Sequence, residues 1–279
     1  MKKILIGLMG LMGLVGMVAC DKIEPGENGE YTVYGGSVAT WTDGTAVADH
    51  THRSIVEKYT GPQCNNCPTA DDILNDMHSR VGDRMVVMAI NPRSGQGVPY
   101  DGNPDMSTDD GEQWVERFGA SNLPYGMLDR AKSYEGAPAF NSLEADIEAA
   151  TADEAAVALD VKATRGDKVT IEVGIEFLQD VDQPLTLTLA LTEDSLVYWQ
   201  ISTTGLKKDY AHNHMLRDVI TNVWGIDIDA TGTKGECRKA QFKYTLPEGV
   251  KVEKCHVVAM VSDKASLHVL NSKECTIDE

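Results

Sequence analysis

Apolar and polar positions follow two different patterns along the chain, and the change lies near residue 154. Between residues 51 and 153, apolar runs typical of strands alternate with segments of helical period. The strand-like segments are 54–61, 84–90 and 125–130, and the helical ones are 67–82, 111–119 and 140–150. Because strands that alternate with helices pack as a sheet covered by helices, this part is predicted to be an α/β domain.

From residue 154 to 279 the apolar residues occupy every second position, which is typical of half-buried strands. The alternation is clearest in three segments, 157–161, 169–177 and 185–191. Further candidate strands at 197–201, 239–246, 252–262 and 266–271 bring the number to about seven, as expected of an immunoglobulin-like sandwich. We therefore predict an all-β immunoglobulin-like sandwich over 154–279.

The first twenty residues have the pattern of a secretory signal. Two lysines precede an apolar run that is short and glycine-rich for a membrane span, and a cysteine follows it. The segment Met17–Cys20 resembles the lipobox of bacterial lipoproteins, in which cleavage leaves the cysteine first and a lipid anchors it. We predict a signal peptide over 1–19, a lipid anchor at Cys20 and a polar tether over 20–50. The alternative is a soluble exported protein that is cleaved nearby.

The composition and the net charge of the chain exclude some classes of function. The chain has 279 residues, of which 42% are hydrophobic and 24% are charged, as in ordinary globular proteins. Its formal net charge of −18 repels the phosphates of nucleic acids, so we expect no nucleic-acid partner. Export also places the six cysteines in an oxidising compartment, where paired thiols persist as disulfides.

Two cysteines, Cys64 and Cys67, lie between a predicted strand and a predicted helix. Thioredoxin-like proteins carry their reactive dithiol at this position, so the α/β domain is predicted to be thioredoxin-like. Unpaired amide groups at the start of a helix favour the thiolate, which is the form that attacks a disulfide. We expect Cys64 to be the accessible nucleophile and Cys67 to resolve the mixed disulfide that it forms.

Other residues near the dithiol leave its role open. Leu123-Pro124 precedes the strand-like segment 125–130, where thioredoxin-like folds have a cis-proline that faces the dithiol, and an ordinary turn proline is the alternative. Lys58 stands where thioredoxins keep a buried carboxylate, and strand alternation turns the neighbouring Glu57 to the other face. A permanent structural disulfide is another interpretation of the CxxC. Half of a zinc site is a third, but two further ligands at suitable spacing are missing.

The remaining cysteines and two polar segments suggest no cofactor. Three cysteines are left after the anchor and the dithiol, namely Cys237, Cys255 and Cys275. We expect the last two to pair across a hairpin. The acidic loop 101–112 has the oxygen spacing of a calcium loop, but it has methionine where the turn needs glycine, so we interpret it as a solvated loop. His212 and His214 are too few to hold a metal and are interpreted as polar packing or a turn.

Taken together, these motifs resemble one known family. The segments EKYTGPQCNNCP, SNLPYGMLDR, ALTEDSLVYWQ and DYAHNHMLR are similar to those of the twenty-eight-kilodalton outer membrane lipoproteins of Bacteroidetes. The resemblance implies a thioredoxin-like domain over 51–153 and an immunoglobulin-like domain over 154–279, anchored at the outer membrane. It implies the architecture and leaves the activity open.

Two functions are compatible with this sequence. The first is thiol–disulfide exchange on exported proteins, an oxidoreductase activity carried by Cys64, Cys67 and Pro124, and it requires a Cys64 sulfur that solvent can reach. The second is the binding of a surface protein ligand, in which the CxxC is a structural disulfide. In both, the lipid on Cys20 holds the protein at the membrane.

Overall fold

The computed structural model describes residues 31–33, 36–38 and 41–279. The predicted signal peptide, the predicted anchor Cys20 and much of the predicted tether lie outside the described residues. Within those described ranges, no helix has the length and apolar character needed to cross a membrane.

Strands dominate the described part of the chain. They are β1 (Tyr31–Val33), β2 (Gly36–Val38), β3 (Thr42–Asp43), β4 (Ser54–Tyr59), β5 (Met85–Ile90), β6 (Tyr125–Leu128), β7 (Lys132–Glu135), β8 (Val157–Thr164), β9 (Val169–Phe177), β10 (Leu185–Glu193), β11 (Leu196–Ser202), β12 (Gly205–His212), β13 (Met215–Val219), β14 (Ile226–Asp227), β15 (Cys237–Tyr244), β16 (Cys255–Asp263) and β17 (Val269–Asp278). The α-helices are α1 (Cys67–Val81), α2 (Asp109–Phe118) and α3 (Leu143–Ala150), and short 3-10 helices span Gly82–Arg84, Gly95–Gly97, Ala137–Ser142 and Val252–Lys254.

The first part of the chain forms a helix-covered sheet in the order β5-β4-β6-β7. β4 and β5 are parallel, β6 runs antiparallel to β4, and β7 runs antiparallel to β6. Because successive side chains of a strand point to opposite faces, Val56 packs with α1 and α3 whereas Ile55 packs with α2. The predicted alternation of strands and helices between residues 51 and 153 is confirmed.

The helices begin and end where local chemistry directs. Pro68 occupies the first turn of α1, where an amide would have no intrahelical partner, and Gly82 follows the helix with φ of 62°. The side chain of Thr108 caps α2 by accepting a hydrogen bond from the amide of Gly111 at 2.9 Å. α1 therefore begins at the second cysteine of the CxxC motif, and α2 begins directly after Thr108.

The strands of the second part enclose one core. They follow one another in the order β15-β9-β8-β17-β16-β10, with β8 and β17 joined by a short parallel pairing at Ile277 and Asp278. The inward-facing residues of these strands make a single hydrophobic cluster. In β9 the residues at alternate positions from Val169 to Phe177 are buried, which confirms the predicted period of two. β10 differs, because all nine of its residues are buried. Its second face lies in the cluster that contains α2, so the strand is covered on both sides.

β13 joins the two parts into one large sheet. It pairs with β10 in the antiparallel direction and with β5 in the parallel direction, where Met215 lies opposite Ala89. Trp114 of α2 fills the interface, because its ring is fully buried and its Nε1 donates to the carbonyl of Val223 at 3.0 Å. The hairpin of β11 and β12 stands apart as a two-stranded sheet and is the element that reaches the predicted dithiol.

Candidate functional site

The Cys64 and Cys67 thiols are joined in a disulfide, with their Cα atoms 5.4 Å apart. Cys67 is the first residue of α1, so the bond lies at the helix N-terminus as the sequence predicts. The Leu123–Pro124 peptide bond is cis, which confirms the expected geometry of Pro124. Since Tyr125 pairs with Tyr59 at the end of β4, the cis bond lies at the same edge of the sheet as the disulfide.

Both cysteines are fully buried, with no exposed surface on either residue. The expectation that Cys64 is an accessible nucleophile is therefore wrong for this structure. The two residues between them, Asn65 and Asn66, are exposed, so the loop itself is at the surface. A distant segment of the chain is hydrogen-bonded to the main chain of this loop.

The hairpin of β11 and β12 lies against the CxxC loop and is hydrogen-bonded to its main chain. The Gln200 side chain, only 1% exposed, donates from Nε2 to the carbonyl of Cys64 at 2.9 Å and to that of Gly61 at 3.1 Å. The amide of Ile201 donates to the carbonyl of Pro62 at 2.8 Å. Three carbonyl groups of the loop 61–64 thus accept hydrogen bonds from one strand, β11.

Further contacts fix the hairpin to two other segments. Asn103 and Trp199 exchange two hydrogen bonds, from the Trp199 amide to Oδ1 at 3.0 Å and from Nδ2 to the Trp199 carbonyl at 2.7 Å. The rings of Tyr100 and Trp199 lie 5.7 Å apart. On the other strand, the Tyr210 hydroxyl donates to Asp71 of α1 at 2.7 Å. The hairpin is therefore held by contacts with the CxxC loop, with the loop before α2 and with α1.

The charged side chain that β4 directs towards α1 is that of Lys58. Lys58 is 5% exposed and pairs with the Oδ1 atom of Asp71, whose other oxygen accepts from Tyr210. Burial, together with the positive charge of Lys58, lowers the pKa of His212 to about 4, so this histidine is neutral at physiological pH. Lys58 and Tyr210 therefore engage both carboxylate oxygens of Asp71.

Glu57 points to the opposite face, as strand alternation predicts. It pairs with Arg130 at 2.7 Å, and both side chains are at most 1% exposed. The Arg130 guanidinium lies 4.6 Å from the centre of the Trp114 ring, on the α2 side of the sheet. Glu57 therefore takes no part in the chemistry of the disulfide.

The His-Asn-His segment has a structural role at the base of the hairpin. The amide of His214 donates to Asp194 at 2.7 Å, and the amide of Ser195 donates to Asn213 at 2.9 Å. The ring of His212 packs edge-on against Tyr210, with the centres 5.1 Å apart. The interpretation as a turn is confirmed by the positive φ of 57° at His214, but Nε2 of His212 and Nδ1 of His214 are buried without a hydrogen-bond partner.

The other candidate sites take structural roles as well. Within residues 41–279, no three His, Cys, Asp or Glu side chains are close enough together to hold a metal. The end of the acidic segment 101–112 forms the first turn of α2, where negative charges favour the helix. The expected pairing of Cys255 with Cys275 is wrong, since both thiols are free and Cys275 lies opposite Val257. Burial raises the pKa of each of these two thiols to about 12.

Gln200 is the site residue that the sequence did not indicate. It lies 136 positions from Cys64, in a strand whose pattern is ordinary, and its amide has no local signature. Only the packing of the hairpin on the first part of the chain brings it to the disulfide.

A family model described as Outer membrane protein Omp28 matches residues 111–279, more than half of the chain. The chain belongs to the Omp28 family. Membership confirms the resemblance found in the sequence and places the protein at the outer membrane. Gln200 and the whole hairpin lie inside the matched segment, whereas Cys64 and Cys67 precede it.

Solved structures provide a second comparison for this Omp28 protein. HBP35 of Porphyromonas gingivalis has a TM-score of 0.63 at 15% identity, covering 83% of this chain and 77% of its own. An Agrobacterium tumefaciens protein has a TM-score of 0.51 at 18% identity, covering 83% and 97% of the two chains. A domain of the outer membrane lipoprotein Omp28 from Porphyromonas gingivalis, 18% identical, covers 44% of this chain and 89% of its own, at a TM-score of 0.32 that supports no argument. At these identities the likeness concerns the fold alone. No curated protein matches the chain significantly.

Proposed function

We propose that this Omp28 protein is a lipoprotein, anchored through Cys20, that binds a protein ligand and uses the Cys64–Cys67 disulfide as a structural cross-link. The observation that carries the proposal is the complete burial of both cysteines. Thiol–disulfide exchange requires a thiolate of the client to reach a sulfur atom. Neither cysteine has exposed surface, and hydrogen bonds from Gln200 and Ile201 hold the loop that carries Cys64 against β11.

The electrostatics around the disulfide support the same conclusion. Proton transfer to or from Cys67 needs a free acid or base nearby. On the α1 face, Lys58 and Tyr210 engage both oxygens of Asp71, while Glu57 is paired with Arg130 on the opposite face. No free carboxylate among these is left to accept the proton of a resolving thiol.

For the fold we propose a thioredoxin-like domain over 51–153 and an immunoglobulin-like sandwich over 154–279. The strand order β5-β4-β6-β7, with helices on both faces and a cis-proline before β6, supports the first assignment. The shared core enclosed by β15, β9 and β8 on one side and β17, β16 and β10 on the other supports the second.

Exposed apolar residues support a binding role and indicate where a ligand is held. Among the described residues, the large hydrophobic side chains with high exposure are Val98, Val197 and Leu206, at 41%, 53% and 40%. Two of them lie on the hairpin, and the carbonyl of Val98 accepts from Gln63 in the CxxC loop. Exposed apolar groups concentrated in one region are typical of protein-binding surfaces.

A mixed-disulfide trap tests the structural role of the disulfide. In the Cys67→Ser variant, Cys64 has lost the partner that would release a bound client. We expect this variant, expressed in its native membrane, to capture no more protein than a Cys64→Ser/Cys67→Ser control. Exported proteins captured by the single variant alone would contradict the proposal and establish exchange.

A photo-reactive residue tests the binding surface. Placed at Leu206, it should form a specific adduct on living cells, because the hairpin face is where we place the ligand. The matched control is the same residue at Gln241, an exposed position on β15. Equal adducts at the two positions, or none at Leu206, would exclude the hairpin as the binding surface.

Exchange with exported proteins is the second candidate function. The specific observation in its favour is the oxidised CxxC at the start of α1, at the sheet edge that also carries the cis Leu123–Pro124 bond. It requires the hairpin to move away, and the trap above distinguishes it from the first candidate.

A further inference from the structure

The hairpin is bonded to main-chain atoms whose positions depend on the disulfide. Gln200 and Ile201 donate to three carbonyls of the loop 61–64 at distances between 2.8 and 3.1 Å. The Cys64–Cys67 bond closes the turn that follows this loop, and within that turn the Cys67 amide donates to the Cys64 carbonyl at 3.4 Å. The same carbonyl therefore belongs both to the turn held by the disulfide and to the docking contact of the hairpin.

The hairpin is also a separate unit with two defined ends. Among the described residues, β11 and β12 pair with each other and with no strand of the large sheet. Ser195 and His214 flank the hairpin, and both have positive φ angles, 58° and 57°. The amides of His214 and Ser195 donate to the side-chain oxygens of Asp194 and Asn213, which hold these two residues. A unit joined to the body at two such points can move without disturbing the sheet.

We propose that the docked hairpin and the Cys64–Cys67 disulfide form a redox switch in which each stabilises the other. A dithiol reductant breaks the S–S bond by supplying two electrons and two protons; two thiols form on the protein, and the dithiol becomes a disulfide. The turn is then no longer closed, the carbonyls of the loop 61–64 lose their fixed positions, and the hairpin undocks. Coupling of this kind is reciprocal, so the docked hairpin also protects the disulfide from reduction.

The switch goes beyond the proposed function, and it operates whether or not the protein exchanges disulfides with a client. It is consistent with the burial of a polar residue, Gln200, whose amide donates to the carbonyls of Gly61 and Cys64. An apolar contact would be insensitive to the orientation of the loop, whereas hydrogen bonds depend on the direction of the carbonyl groups.

The first experiment measures how fast dithiothreitol reduces the disulfide in the full-length, detergent-solubilised protein, followed by alkylation of Cys64 and Cys67. Gln200→Ala should be reduced about tenfold faster than the wild type, as the loss of one to two hydrogen bonds implies. Tyr210→Phe, which removes only the hydroxyl bonded to Asp71, should also accelerate reduction, by a smaller factor. The matched control is Gln241→Ala, which removes an exposed amide bonded to Glu172 and should leave the rate unchanged.

The second experiment measures the reverse coupling by amide hydrogen exchange. In the Cys64→Ser/Cys67→Ser variant, the amides of residues 205–211 should exchange at least tenfold faster than in the oxidised wild type. Residues 257–261 of β16, in the centre of the large sheet, should keep their protection and so show that the variant is folded. A Gln200→Ala variant that does not fold is detected by the same amides, and Tyr210→Phe then carries the reduction test.

Wild-type rates of reduction in both hairpin variants would overturn the switch, and so would unchanged exchange of residues 205–211 without the disulfide. These outcomes are independent of the trap experiment, because capture of a client depends on the chemistry of Cys64 and not on the coupling between hairpin and disulfide.

Discussion

Removal of the disulfide should destabilise the protein by a calculable amount. The bond joins residues only three positions apart, so it restricts a very short loop of the unfolded chain. For a loop of about four residues, the chain-entropy relation gives roughly 2 kcal/mol at 25 °C, near the lower end of the usual range for disulfides. A Cys64→Ala/Cys67→Ala variant also loses two buried sulfur atoms, and a control must account for this loss.

Cys255→Ala provides that control, because Cys255 is a free thiol that is 2% exposed in the core of the sandwich. Urea unfolding of each oxidised protein, extrapolated linearly to water, gives the free energies of unfolding. We expect the double variant to lose about 2 kcal/mol more than two losses of the Cys255→Ala size. If this additional loss in the free energy of unfolding is below about 0.5 kcal/mol, the disulfide does not stabilise the fold and its structural role is refuted.

Three further predictions concern the body of the protein. Gly61→Ala should cost about 2 kcal/mol in urea unfolding, because the new Cβ would lie 2.3 Å from the carbonyl oxygen of Gln96; an unchanged midpoint would contradict the packing of this loop. Burial raises the pKa of Asp129 from its ordinary value of 3.8 to about 7, so the folded protein keeps a proton that the unfolded chain releases. This carboxyl therefore makes the wild type lose stability as the pH rises from about 4 to about 7, and in Asp129→Asn the urea midpoint should fall less over that range. Trp114→Phe should lower the free energy of unfolding by about 2 kcal/mol, through the lost hydrogen bond to Val223 and the cavity left in the core, and a thermal melt without a shift would refute this.

Local patterns in the sequence were sufficient to predict the strands and the helix around the disulfide. The alternation of apolar runs and helical segments identified β4, α1 and β5, because each of these elements is specified by its own side-chain period. The position of the CxxC before α1 follows from the same pattern, whereas the cis bond at Pro124 was expected only from the likeness to thioredoxin-like folds. Strand alternation was also sufficient to place Glu57 on the face away from the disulfide.

Contacts between distant segments could not be predicted in this way. The alternating Leu and Thr residues of β10 indicate a strand with one solvated face, yet that face is buried, and its Ala190 lies in one cluster with Trp114 and Val115 of α2. The pairing of Cys255 with Cys275 failed for a related reason. Cys275 lies opposite Val257, two positions from Cys255; the irregularity beside Val261 accounts for one of these positions and the geometry of the turn for the other. A register depends on turn geometry, which the apolar pattern does not specify.

The disulfide precedes the family-matched segment, whereas the hairpin bonded to its loop lies inside that segment. The match begins at residue 111, inside α2, yet Trp114 of that helix belongs to one buried cluster with Ile55 of β4 and Met260 of β16. The hairpin, too, docks on a loop that precedes the match. The strands before residue 111 therefore complete the core of the segment that defines the family, and the loop 61–64 completes the contact of the hairpin. The proposed coupling of hairpin and disulfide consequently needs both parts of the described chain, because a fragment limited to the matched residues would lack the surface on which Gln200 acts.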